Sequence, residues 1–182
     1  MRFACRWSLR KSVDEAPWFD AKLLAVNYEL REVDRGAGAI CHSILASLPT
    51  WLGIPSAVDD YVTMADTHGS LIAAVDGLDI GITTLVHHSP DAAEVHLMAV
   101  MPTHHRRGVG RAMLGRLEVA LAHQRVAFLQ VKTLSSADPD AGYAETRAFY
   151  RAYGFRVLEE FPLLWGPDNP AVQMIKVVDG RG

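Results

Sequence analysis

Cysteine is scarce in this chain of 182 residues, which holds Cys5 and Cys41 and no others. Two cysteines make no disulfide framework, so they read as reduced thiols of a cytosolic protein. Long apolar runs are missing as well. None approaches the roughly 18–20 residues needed to span a bilayer. Arg2, Arg6, Arg10 and Lys11 break up the N-terminus, which makes a poor signal peptide. The expected compartment is the cytoplasm, with no membrane partner. Basic charge is not in excess: 18 Lys and Arg stand against 21 Asp and Glu, a formal net charge of -3. That balance argues against a general nucleic-acid surface. No Gly-x-x-x-x-Gly-Lys-Ser/Thr run is present, which excludes a P-loop. No Gly-x-Ser-x-Gly elbow is present either, which argues against a serine hydrolase. His87-His88 and His104-His105 are adjacent pairs without the spacing of metal ligands, so no metal site is expected.

What is present is ordinary for a soluble globular protein: 49% apolar and 21% charged residues. The length suits one domain with a sizeable core. Residues 1–27 show no clear period and read as an N-terminal extension; 28–182 read as the domain. Tyr28 to Val33 alternates like a strand. A helix through Ile40, Ile44, Leu45 and Leu48 stops at Pro49, and a second starts at Ser56 and runs to Ala65. Ser70–Val75 and Ile80–Val86 flank Asp76-Gly77, a strong hairpin signal. Val95–Met101 is apolar on both faces, as in a central strand. Gly110–Gln124 carries a helical apolar stripe, Val126–Thr133 reads as a strand, and Leu134–Tyr143 reads as a polar loop. A short helix follows at Glu145–Tyr153, ended by Gly154. Phe155–Leu163 and Val172–Val178 form a final antiparallel pair. The expected fold class is α/β, with order β-α-α-β-β-β-α-β-α-β-β.

The most informative stretch joins the central strand to the long helix, at His105-Arg106-Arg107-Gly108-Val109-Gly110-Arg111-Ala112. Two glycines let an anion approach the backbone. The helix start adds unpaired N–H groups and a positive dipole end, and together these suit a phosphate. A Rossmann fingerprint would need a third glycine near Met113 and an acid at the end of the next strand, which carries Gln130, Val131 and Lys132 instead.

The turn follows Val100-Met101-Pro102, and Thr146-Arg-Ala-Phe-Tyr-Arg-Ala-Tyr-Gly-Phe155 lies one strand downstream. The two segments, in this order, resemble the GNAT superfamily of acyl-CoA-dependent N-acetyltransferases over roughly residues 28–178. Ile44 to Gly53 also looks like the first-helix region of some bacterial members. His105 stands where the family usually has glutamine or arginine, and Tyr143 where it often has asparagine.

The resemblance implies a mixed, mainly antiparallel central sheet flanked by helices, and attack of a primary amine on acetyl-CoA in a ternary complex. It implies that the strand before the turn splays from its neighbour and pairs with the pantetheine arm. The implied cofactor-binding residues are Val100, Met101, Pro102, His105, Arg106, Arg107, Gly108, Val109, Gly110, Arg111 and Ala112. Tyr150 is the implied hydrogen-bond or proton donor to the leaving sulfur. A free alkylamine has a pKa of about 10.4, so a base is useful. Family members place it at the positions of Glu94 or His96, which a strand period of two puts on one face. The choice between them stays open. The acceptor is a small-molecule or protein amine, and a homodimer through the last strands is common in the family. Trp51, Leu52, Tyr61 and Trp165 read either as an acceptor pocket or as core. The rival from another class is a non-catalytic acyl-CoA sensor, which needs the turn but neither base nor Tyr150.

Overall fold

The computed structural model describes residues 28–48 and 55–178. Residues 1–27, Cys5, Pro49, Trp51, Leu52 and the end of the first-helix resemblance lie outside the described residues. The elements are β1 (Glu29–Val33), α1 (Gly38–Ala46), α2 (Pro55–Thr67), β2 (Ser70–Val75), β3 (Leu78–Ser89), β4 (Ala92–Val100), α3 (Val109–His123), β5 (Phe128–Leu134), α4 (Ala141–Tyr153), β6 (Arg156–Phe161) and β7 (Ala171–Val177). The order matches the one expected. Among the described residues, the 3-10 turn Pro102–His104 is an addition to that order.

The seven strands lie side by side in the order β1-β2-β3-β4-β5-β7-β6. Every neighbouring pair is antiparallel except β4 and β5, which are parallel. α3 supplies the crossover that a parallel pair requires. Each sheet face has its own core. On one, Leu71, Ile80, Val95 and Met174 pack against Met113, Leu117 and Leu121 of α3 and Tyr150 of α4. On the other, Ile72, Ile82, Leu97 and Ala99 meet Cys41, Ile44 and Leu45 of α1 and Val58 and Ala65 of α2. The Cys41 thiol is buried there, and burial, with the nearby Asp66 charge, pushes it up to about 11.

Bulges interrupt the two strands that matter most. In β4, Val95 pairs with Leu85 and Leu97 with Thr84, so His96 is an extra residue. Side-chain alternation therefore flips: Ala93 and Val95 face α3, whereas Leu97 and Ala99 face α1. In β3, His87 pairs with Ala93 and Ser89 with Ala92, which leaves His88 extra.

The helix ends are set locally. Gly108, at φ 81°, caps α3 in the left-handed region that glycine favours. α4 starts at Ala141 rather than at Glu145, because the Asp140 side chain accepts a hydrogen bond from the Tyr143 N–H at 3.1 Å. Pro139 and Gly142 disguised this cap as loop. α1 is capped in trans: Asp66, near the end of α2, accepts the Gly38 N–H at 2.7 Å, which also places a negative charge at the helix start. No helix among the described residues is long and apolar enough to cross a membrane.

A Cβ on Gly38 would lie 2.4 Å from Asp66 Oδ2 and displace the cap. Gly38→Ala should therefore cost about 1 kcal/mol of stability, the value of a lost cap. In an Asp66→Ala background the same change should cost nothing, since alanine favours helix over glycine. Urea denaturation of the four proteins in this cycle reads the coupling.

Candidate active site

β4 and β5 share only four pairs, Ala92–Phe128 through Val95–Val131, although β4 runs on to Val100 and β5 to Leu134. Beyond that point the strands are unpaired with each other. On its other side β4 stays bonded to β3, and the Met101 N–H donates to the Ile80 carbonyl at 2.8 Å. Hydrogen-bonded and non-bonded residues alternate along such a pair. Val100, opposite Gly81, therefore turns its N–H and C=O away from β3 and into the gap. Its carbonyl accepts a hydrogen bond from His105 Nε2 at 2.6 Å. His105 thus folds the turn back onto the end of β4.

After His105 the backbone takes left-handed conformations at Arg106 (φ 60°) and Gly108. The first helical bond of α3 is Ala112 N–H to Gly108 C=O. The N–H groups of Val109, Gly110 and Arg111 precede it, with no side-chain cap and no acid in the first turn. They leave a positively polarised edge for an anion. Gly110 has a packing role too: a Cβ there would lie 3.3 Å from Phe149 Cζ, so its absence seats the turn against α4. Arg107 is exposed, Arg106 pairs with Glu145 at 2.9 Å, and Arg111 lies over the Tyr153 ring, 5.5 Å from its centroid. Met101 is half-buried, and Pro102 opens the 3-10 turn between strand and loop.

Tyr150 approaches from α4. It is buried, edge-to-face with both Phe149 and Phe155 at 5.3 Å between centroids. Burial pushes its phenol well above the usual range, and the neighbouring Tyr61 phenol adds to this. The hydroxyl therefore stays a donor at any physiological pH. Tyr61, from α2, is pushed up to about 12, mainly by burial and then by Tyr143, Asp60 and Glu94. It sits edge-on to His96 with 5.6 Å between centroids. Trp165 does not join this core; it is exposed in the turn between β6 and β7. The Tyr143 phenol is raised by burial and by the Asp140 and Asp138 carboxylates, which lie in the loop before α4.

Glu94 and His96 meet on the α2 side of β4. Glu94 Oε1 is 4.0 Å from His96 Nδ1, and His96 Nε2 is 3.4 Å from Asp60 Oδ2. That Nε2 is buried and makes no hydrogen bond. Glu94 is the more constrained of the two. Its side chain is only 7% exposed, and its Oε2 accepts from His88 Nε2 at 2.7 Å, from Gln130 Nε2 at 2.9 Å and from Lys132 Nζ. Burial alone would raise the carboxyl. The hydrogen bonds and charge of Lys132, with those of His88 and Gln130, outweigh it and hold Glu94 below the usual carboxylate value.

Sequence reasoning assigned no role at this site to Asp60, His88, Gln130, Lys132 or Arg147. Arg147 of α4 is buried and donates to the Leu134 and Ser135 carbonyls at 2.8 and 2.9 Å, fixing the end of β5 beside the gap. A cation inside an otherwise amphipathic helix was the only available signal. His88 was legible as half of a His-His pair, but the bulge separates the two rings. His87 contacts Gln124 at 3.0 Å, and His88 contacts Glu94.

Comparison with known proteins points the same way. A family model described as an acetyltransferase (GNAT) domain matches residues 66–157. An uncharacterized protein of Mycobacterium leprae is 40% identical over 75 residues, covering 41% of this chain and 18% of that protein. The chain thus spans less than a fifth of the length of the curated relative it matches. A structure described as a GNAT-family acetyltransferase from Desulfovibrio desulfuricans superimposes with a TM-score of 0.72 at 17% identity, covering 84% of this chain and 99% of that one. An aminoglycoside 6'-N-acetyltransferase complexed with coenzyme A gives a TM-score of 0.66 at 16% identity, covering 85% and 99%. At such identities the likeness carries the fold.

Because its carboxyl is held down in the folded state, Glu94 contributes stability above the unfolded value. That contribution is lost as pH falls through the folded one. Glu94→Gln should cost about 1–3 kcal/mol at neutral pH. The gap from the native protein should start to close below the ordinary value of 4.5. Urea midpoints measured from neutral pH downward test the sign.

Proposed function

Since the chain belongs to the GNAT acetyltransferase family, we propose that it transfers the acetyl group of acetyl-CoA to a primary amine by direct attack in a ternary complex. The observation that carries this reading is the gap beyond Val95 and Val131, with the Val100 backbone turned into it and the α3 N-terminus at its end. The pyrophosphate is assigned to the N–H groups of Val109 to Ala112, with Arg106, Arg107 and Arg111 around them. The Val100 N–H is assigned to the pantetheine arm or the carbonyl oxygen.

The amine nitrogen attacks the thioester carbon, the C–S bond breaks, and its electron pair goes to sulfur. The raised phenol of Tyr150 suits it to hydrogen-bond that sulfur. A thiol of pKa near 8.5 is the stronger acid, so the proton stays on the phenol at neutral pH. For the amine's proton we assign His96 rather than Glu94. Glu94 Oε2 is engaged by three donors and its acidity is enhanced, so it accepts a proton poorly. His96 lies between the Glu94 and Asp60 carboxylates, which stabilise the imidazolium as it forms. A water can bridge the transfer.

Asp60, Asp138 and Asp140 on the α2 and α4 sides of the mouth support a cationic amine as acceptor. The aminoglycoside-modifying neighbour is one protein of the fold named for such a substrate. Exposed Val157 and Leu158 on the edge strand β6 support a homodimer through that edge. Sedimentation that gives only monomer would remove that assembly.

Acetyl-CoA should bind by calorimetry, and an amine panel should release free CoA. Tyr150→Phe should lower kcat by roughly ten- to hundredfold, as expected for one lost hydrogen bond to a developing charge, while cofactor affinity stays close to native. His96→Gln should depress turnover similarly. Binding without turnover on any amine would favour the sensor reading. No binding at all would sink both.

A further inference from the structure

Lys132 lies where the sheet opens. It follows Val131, the last residue of β5 paired with β4, and within the sheet its own register partner is Gln173 of β7. At this level β4 carries the extra residue His96. The lysine side chain is one quarter exposed and reaches back to Glu94 Oε2. The same oxygen receives Gln130 Nε2, whose amide is oriented by Gln173 Nε2 donating to Gln130 Oε1. From the other side it receives His88, the bulged residue of β3. All three donors converge on Oε2, and Oε1 remains on the side of His96.

We propose that Lys132 is a positioning residue for the transfer site: its ammonium pins one oxygen of Glu94 and leaves the other turned to His96. The inference rests on the acetyl-transfer reading for its kinetic consequence, but not for the contact itself.

The groups that face Glu94 define what Lys132 contributes. His88 comes from β3, His96 from β4 itself, Gln130 and Lys132 from β5, and Tyr61 with the exposed Asp60 from α2. Tyr143 of α4 stands behind Tyr61. Lys132 is the one permanent cation among them. Without it, burial is opposed only by His88 and Gln130, and Glu94 takes up a proton at higher pH. A protonated Glu94 no longer supports the imidazolium of His96. His88 donates to the same oxygen, so it is expected to mask part of the effect.

The test compares the native chain with Lys132→Met, Lys132→Gln, Lys132→Arg and Lys132→Met/His88→Gln. The Glu94 carboxyl is followed by carbon-13 NMR titration without substrate. Where turnover is found, kcat/KM is measured against pH with acetyl-CoA and the accepted amine. In Lys132→Met the carboxyl should titrate at higher pH and the acid limb of kcat/KM should move the same way. The loss should be roughly tenfold at about pH 6 and small at alkaline pH. The double variant should move further, and Lys132→Arg should recover part of the native profile. Lys132→Gln keeps a donor without charge and reads the same shift if the methionine variant does not fold. An unmoved titration, or a kcat/KM lowered equally at every pH, overturns the proposal. If the native chain turns over no amine, the acetyl-transfer reading fails, while the titration still decides what Lys132 does.

Discussion

The rest of the site depends on the early end of one strand pairing. β4 and β5 are hydrogen-bonded through Val95 and Val131 and then part. A continued parallel ladder would consume the Val100 backbone and bury Lys132 against β4. The separation instead opens a slot in the middle of the sheet, lined by main-chain donors and acceptors rather than by a flexible loop. β3 holds β4 on one side and β7 holds β5 on the other, so both walls of the slot are rigid. Arg147 fixes the far wall by binding the two carbonyls at the end of β5. His105 fixes the near wall through the Val100 carbonyl.

Charge is distributed along the slot with opposite signs at its two ends. The α3 end offers N–H dipoles and arginines. The α2 end offers Asp60 and the buried Glu94, whose charge is compensated rather than free. Burying a carboxylate unpaired costs several kcal/mol, and removing one partner of a buried pair is more damaging than replacing both. Three donors on a single oxygen offset that cost here. Tyr61 and Tyr150 are both raised by burial, and Tyr61 raises Tyr150 further, so neither ionises at neutral pH. A neutral donor phenol suits the proposed transfer, in which negative charge develops on oxygen and then on sulfur.

The element order and the glycine turn that opens α3 were legible in the chain because local rules govern them. The Asp76-Gly77 hairpin, the α3 stripe from Met113 to Leu121 and the Gly154 end of α4 each depend on residues a few positions apart. The Asp140 cap was written in the sequence too, but Pro139 and Gly142 pointed to loop more strongly. Glu94 and His96 were legible as neighbours on one face. The bulge at His96 was not, because a register shift is settled between strands and leaves no mark within one. The same holds for His88, which alternation would send where its bulge does not.

Lys132 shows where the boundary falls. In the chain it is one of three polar residues in β5, 38 positions from its partner Glu94. Residues 100–112 and 146–155 by themselves determined the family, because a turn, a helix start and an aromatic helix are built from near neighbours. Which carboxylate would be compensated, which imidazole would lie between two carboxylates, and where the sheet would open were decided by tertiary structure. Those outcomes depend on strands brought together from distant parts of the chain, and on desolvation that exists only once both faces of the sheet are covered.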